Sequence, residues 1–172
     1  MPEWERTVVD QVVIRLRDHP YWGNRFAPWR AGHAVDFAWH LAVFIEPFLT
    51  FVLDGKKKVE SRFSINEAAP YRMVHRGDVI LIKSSGGPIV GIAEAAEVSS
   101  YQIDEDSLRD IRVTFGEALC IEGEAFWDAK KGACYATLIQ LSNVSATDRI
   151  HCEKRDKRGW VTLRYQPVLQ FE

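Results

Sequence analysis

Between Gly55 and Arg62 the chain reads GKKKVESR, in which Lys56, Lys57, Lys58, Glu60 and Arg62 ionise and Ser61 carries a hydroxyl. An ammonium beside a cleft can hold a phosphate or a base carbonyl, and partial burial lowers a lysine pKa toward the range of a general base. Glu60 can accept from an exocyclic amine while Arg62 holds a phosphate or a carbonyl, which is the hydrogen-bond vocabulary of base and backbone recognition. Ser61 and Ser64 become nucleophiles only with a base within hydrogen-bond reach. In an extended chain Lys57, Val59 and Ser61 point to one side and Lys56, Lys58, Glu60 and Arg62 to the other. Whichever side is buried takes ionisable groups with it. The same letters also fit a solvated strand carrying a structural Glu60–Arg62 salt bridge.

Two further groupings have chemical potential. The turn Ser84-Ser85-Gly86-Gly87-Pro88 offers backbone N–H groups, those of Ser85 and Gly86 among them, that could cradle an anion; a hairpin connection is the more economical reading. Near the end, RIHCEKRDKRGW gathers Lys154, Arg155, Lys157 and Arg158 ahead of Trp160, the charge-plus-aromatic combination that single strands favour, softened by Glu153 and Asp156. With Lys56, Lys58 and the rest of the lysine run this makes a second set of candidate phosphate contacts. If both lie on one face, opposite the acidic stretch 104–128, the molecule is an electrostatic dipole. The five histidines include no close pair, so no metal site is expected. Cys120, Cys134 and Cys152 form no CxxC pair and read as reduced, mostly packing residues. No cofactor is implied.

The elements that must position these residues follow from periodicity. In 3–18 Trp4, Val8, Val12 and Leu16 recur every four residues, with Val9 and Val13 beside them, predicting an amphipathic helix ended by His19-Pro20. YWGNRFAPWRAG is dense in aromatics but punctuated by glycine and proline, as suits a segment wrapping over a core without regular structure. A short apolar strand is expected over 40–45, then a helix, EPFLTFVLD, stopped by Gly55. The lysine run follows as a strand, then the loop 66–78, strands over 78–83 and 89–98, helices over 104–115 and 123–131, and strands over 134–144 and 159–165. Six short strands with few helices predict an α+β chain: a small, mixed-to-antiparallel barrel with peripheral helices.

Composition sets the bounds. At 172 residues and 47% hydrophobic the chain can build one sizeable core. Its formal net charge of −2 excludes a generally basic nucleic-acid coat, so polyanion contacts must be local. No apolar run approaches the roughly 18 residues of a membrane span, and Glu3, Glu5 and Asp10 interrupt any signal-peptide pattern. A soluble, cytoplasmic protein without membrane contact is expected.

Gly55, Lys57, Glu60 and Arg62 fit the pattern GxKxxExR, and with HLAVFIEPFLTFVLDG before it and PYRMVHRGDVILIKSSGGPIVG after it the chain resembles the ASCH family, small domains related to PUA-type RNA-binding barrels. The resemblance covers roughly residues 40–146, leaving 1–39 as an N-terminal helix and aromatic arm and 147–172 as a basic loop and last strand packed on the same domain. It implies a PUA-like barrel of about six mixed strands with a cleft beside the signature strand, where relatives hold RNA or a nucleobase. Single-stranded RNA or a modified nucleoside is the implied partner, bound by Lys57, Glu60, Ser61 and Arg62. Some ASCH members hydrolyse N4-acetylcytidine with a lysine and a threonine of the signature strand and a downstream glutamate; others are described as ribonucleases. If this chain is a hydrolase, Lys57 is the base and an acid from the region of Glu117, Glu122 or Glu124 assists. Three residues after the lysine, however, Glu60 replaces the threonine, and such a carboxylate is expected to pair with Lys57 or Arg62, raise the lysine pKa and keep it protonated. A third reading, an adaptor using the amphipathic N-terminal helix, depends on whether that helix is buried on its own barrel.

Overall fold

The computed structural model describes residues 2–163. The elements in chain order are α1 (Glu3–Arg15), α2 (Trp22–Arg25), α3 (Ala27–Arg30), β1 (Trp39–Phe44), α4 (Phe48–Leu53), β2 (Val59–Ser64), β3 (Val79–Ser84), β4 (Ile89–Gln102), α5 (Glu105–Phe115), α6 (Ala125–Lys130), β5 (Tyr135–Ile150) and β6 (Trp160–Leu163). The strands form one six-stranded sheet in the order β2-β5-β4-β3-β1-β6. Every neighbouring pair is antiparallel except β1 and β3, so the sheet is mixed.

The long strands β4 and β5 curl the sheet into a half-barrel. Their register slips between Ile89 and Gly91, Ile92 and Glu94, and Ala95 and Glu97, and such bulges bend and twist a strand. At Gly91 an added Cβ would lie 2.8 Å from Leu53 Cδ2 and 3.1 Å from Ser145 O, so α4 and β5 close over this point only because the side chain is missing. Both strands outrun the expected ranges, because their polar ends (SSYQ and SATDRI) pair through the backbone and carry no apolar alternation to read.

One face of the expected N-terminal helix is buried: Val8, Val9, Val12, Val13 and Leu16 share a core with Trp39, Leu41, Val79, Leu81 and Ile150. The helix ends at Arg15, before the proline that was expected to stop it. The aromatic arm is more regular than its composition predicts, since it holds the single-turn helices α2 and α3. Gly23 permits this: a Cβ there would sit 2.2 Å from Arg17 O. Its aromatics pack inward, with Trp22 on Phe26 and Phe26 on Trp39 at centroid distances of 5.3 and 5.0 Å. A second core lies inside the curl between α4 and the sheet, and a third joins β2 and β5 to α5 and α6. α5 opens on a capping box, Asp104 Oδ1 accepting from Ser107 N at 2.7 Å and Ser107 Oγ from Asp104 N at 2.9 Å. No helix among the described residues is long and apolar enough to cross a membrane. Of the expected last strand, Arg164 and Tyr165 lie outside the described residues.

Candidate functional site

The lysine run is only partly strand. Lys57 N donates to Phe51 O at 2.8 Å, and the successive N–H groups of Lys58 and Val59 both donate to Ala118 O, at 2.9 and 3.1 Å. Two consecutive donors on one carbonyl break the alternation of an extended chain, so the expected division of side chains holds only from Val59 onward. Lys57 therefore reaches Glu60, three residues away, with Nζ 3.5 Å from Oε2. The ammonium also donates to Leu119 O at 3.0 Å and lies 5.2 Å from the centre of the Phe48 ring. It is 4% exposed and Glu60 is 6% exposed. Burial dominates the Lys57 titration and holds its pKa below the ordinary 10.5, although Glu60 pulls the other way. Glu60 pairs with Lys57 and raises its pKa as expected, but burial outweighs it and the net shift is downward.

Arg62 completes the group and bridges the open seam of the half-barrel. Its Nη2 donates to Val43 O at 2.9 Å and its Nη1 to Gly159 O at 3.1 Å, so one side chain ties the free edge β2 to β1 and to the residue entering β6. Nε lies 2.7 Å from Glu60 Oε1 as an ion pair without the alignment of a hydrogen bond. The guanidinium sits over Phe44 and Trp160, 5.3 and 5.4 Å from their ring centres. Above this floor opens a cavity of about 400 Å3 with Phe44, Phe48, Phe63 and Phe126 in its walls and Ser61 and Lys130 in its lining. Lys130 Nζ lies 5.0 Å from the Phe126 ring centre. The cavity joins a polar floor carrying two cations and one carboxylate to aromatic walls, so it suits a flat ligand with carbonyl and amine groups on its edge.

The other candidates divide. No hydrogen bond joins Ser61 or Ser64 to Lys57 among the described residues, and Ser64 lines a neighbouring cavity. Glu117, Glu122 and Glu124 are exposed and none lines the cleft. Glu124 instead accepts from both Nη atoms of Arg112 beside a separate cavity of about 710 Å3 between α5 and α6, and Arg112 holds its carboxyl below the usual range. The segment that was expected to supply an acid supplies carbonyls, those of Ala118 and Leu119. Ser85 and Gly86 form a hairpin turn: Ser85 N donates to Phe44 O and Ser84 N to Pro88 O, both at 2.9 Å, which uses N–H groups an anion would need.

The tail cluster is largely committed. Lys154 Nζ lies 2.9 Å from Asp156 Oδ1 with its side chain only 3% exposed, and Arg158 Nε is 2.9 Å from the same oxygen. These contacts, Arg158 first, hold the Asp156 carboxyl far below its usual range. Arg155 and Lys157 are exposed, as are Lys56 and Lys58. Trp160 is not a surface platform for bases: it is buried, and its Nε1 donates to His40 Nδ1 at 3.2 Å. That fixes the His40 proton on Nε2, which faces Asp78 Oδ2 at 3.0 Å. Burial pushes the Asp78 carboxyl up, but the hydrogen bonds from His40 and from the Ala38 and His75 N–H groups outweigh it and leave the pKa lowered. Cys134 is exposed rather than packed, and no metal-binding group of His, Cys, Asp and Glu forms among the described residues. Phe48, Phe63, Phe126 and Lys130 were missed as site residues; the i, i+4 spacing of Phe126 and Lys130 in AFWDAK is the one signal that puts an aromatic and a cation on one helix face.

No protein-family model matches the sequence, and no curated protein does either. Solved structures do match. The ASCH protein from Zymomonas mobilis superposes with a TM-score of 0.60 at 15% identity, covering 74% of this chain and 88% of that one. A point variant of the same protein gives 0.60 at 16% identity, covering 76% and 92%. At such identities the likeness is one of fold: the chain has the α+β fold of the ASCH protein.

Proposed function

We propose that the cleft binds a nucleobase, presented by single-stranded RNA or by a modified nucleoside. The observation that carries this is the convergence of Lys57, Glu60 and Arg62 at the floor of an aromatic-walled cavity of about 400 Å3. The floor retains hydrogen-bonding capacity: an ammonium has three donors, and Lys57 spends one on Leu119 O and turns one toward Glu60. Glu60 keeps lone pairs free of its two cations, so an exocyclic amine and a ring carbonyl can be read side by side while the phenyl rings cover the faces of the base. Titration calorimetry with cytidine and N4-acetylcytidine tests it. Saturable binding is expected, weakened at least about tenfold by Lys57→Met, roughly the 1.4 kcal/mol of one charged contact. Equal affinity of wild type and variant removes Lys57 from the site.

A second reading, hydrolysis in the same cleft, is favoured by one observation: Lys57 is held below its ordinary pKa and so has more of the character of a base than its partner Glu60 alone would allow. Without a threonine at position 60 the nucleophile would be a water activated by Lys57, attacking the acyl carbon and releasing acetate and cytidine from N4-acetylcytidine. Little or no turnover is expected. Chromatographic conversion by the wild type that disappears in Lys57→Ala would replace binding with catalysis as the main reading.

A further inference from the structure

The cleft continues past Arg62. A second cavity of about 190 Å3 adjoins the first, and Arg62, Phe63 and Gly159 line both. Arg62 stands opposite Thr137 in the β2–β5 pairing, so their side chains leave the same face of the sheet, and Ser64 shares that face two residues on. Thr137 is 1% exposed, and its Oγ1 is buried with no hydrogen-bond partner among the described residues. Buried hydroxyls are nearly always bonded, because leaving the bond unmade keeps the whole desolvation cost. The following residues of β5, Leu138 and Ile139, are apolar and buried, so a hydroxyl here is not dictated by the strand.

A phosphate fits this cavity poorly. Among the described residues its one charged lining residue is Arg62, whose terminal nitrogens already serve the Val43 and Gly159 carbonyls and whose Nε faces Glu60. A neutral polyol fits well: it can both donate to and accept from the Thr137 and Ser64 hydroxyls while its carbon face rests on Tyr71 and Trp160. The volume is several times the roughly 30 Å3 that a water occupies, which is room for a pentose. Resting on the reading of the larger cavity as a base pocket, we propose that the smaller one is a sugar subsite. The ligand is then a ribonucleoside unit, its base over Lys57 and Glu60 and a ribose hydroxyl hydrogen-bonded to Thr137 Oγ1.

Thr137→Val tests this cleanly, since valine keeps the β-branched shape and removes only the unpartnered hydroxyl. Cytidine is expected to bind the wild type at least about tenfold more tightly than cytosine, and Thr137→Val to lose that margin while its cytosine affinity stays unchanged. The Thr137 methyl resonance is expected to shift on titration with cytidine and with D-ribose alone. Cytosine binding with no gain for cytidine, or a variant that keeps the gain, overturns the sugar subsite and leaves the base pocket standing. A methyl shift with D-ribose when cytosine fails to bind overturns the base pocket and leaves the sugar subsite. A methyl resonance silent to both cytidine and D-ribose overturns the subsite.

Discussion

At the scale of the residue, the chemistry of the cleft depends on a competition at Lys57 that burial wins. A lysine held below its ordinary 10.5 in the fold releases its proton earlier than the same lysine in the unfolded chain. Between the two pKa values the unfolded chain binds more protons, so stability rises with pH across that window. The cost of keeping a charged Lys57 inside is thus fully present below the folded pKa and is relieved as pH climbs toward 10.5. Lys57→Met fills the same space without a charge and has no such dependence. Urea midpoints measured from neutral pH upward are expected to show the wild type gaining on Lys57→Met until 10.5 and then running parallel to it. Other alkaline titrations, such as Tyr21, pushed up to about 12 by burial and by Glu94, are common to both proteins and cancel in the difference. Parallel midpoints throughout would show that Glu60 compensates the burial.

At the scale of the element, Arg62 acts as a strand-to-strand tie. β2 and β6 are the edges of the sheet, and no ladder joins them among the described residues; the guanidinium spans the gap by serving two carbonyls at once. Lysine cannot reproduce that planar fork. Arg62→Lys is expected to cost about 2 kcal/mol, the range of a lost charged hydrogen bond at a site mostly shielded from water. Hydrogen exchange is the sharper measure. The Val43 amide, which donates to Gly159 O beside the tie, should exchange faster relative to the β3 and β4 amides. Uniform acceleration would mean that the seam does not open separately. Such a tie was invisible in the letters VESR, which fit an ordinary strand salt bridge equally well. What could be read were features that depend on neighbours in sequence: the valine stripe of α1, the β3–β4 hairpin and the start of α4. The breaking of alternation at Lys58 and Val59 could not, because Ala118 O arrives from a loop far along the chain. Nor could the burial of Trp160, which His40 and Arg62 capture from other strands.

At the scale of the whole molecule, the proposed affinity for RNA would be set by how many cations remain free to meet phosphates. Net charge is −2, so no diffuse field draws a polyanion in, and contact must come from particular side chains. The tail cluster contributes less than its composition suggests, since Asp156 holds both Lys154 and Arg158. Arg155, Lys157, Lys56 and Lys58 are exposed and lie on the loop before β6 and the turn before β2, and a short strand with its base in the cleft is expected to meet about two of them. Each phosphate neutralised on single-stranded nucleic acid adds roughly 0.7 to the slope of log affinity against log salt, so about two contacts predict a slope near −1.4. Anisotropy of a labelled oligocytidylate across a salt series measures it, with cytidine, which carries no phosphate, as the control expected to be flat. A slope of about −3 or steeper would mean that RNA displaces Asp156 from its two cations and recruits them. In that case Asp156→Asn should flatten nothing and bind more tightly at every salt concentration. A slope near zero for the oligonucleotide would confine recognition to the base and sugar cavities, and the exposed lysines would then serve solubility alone.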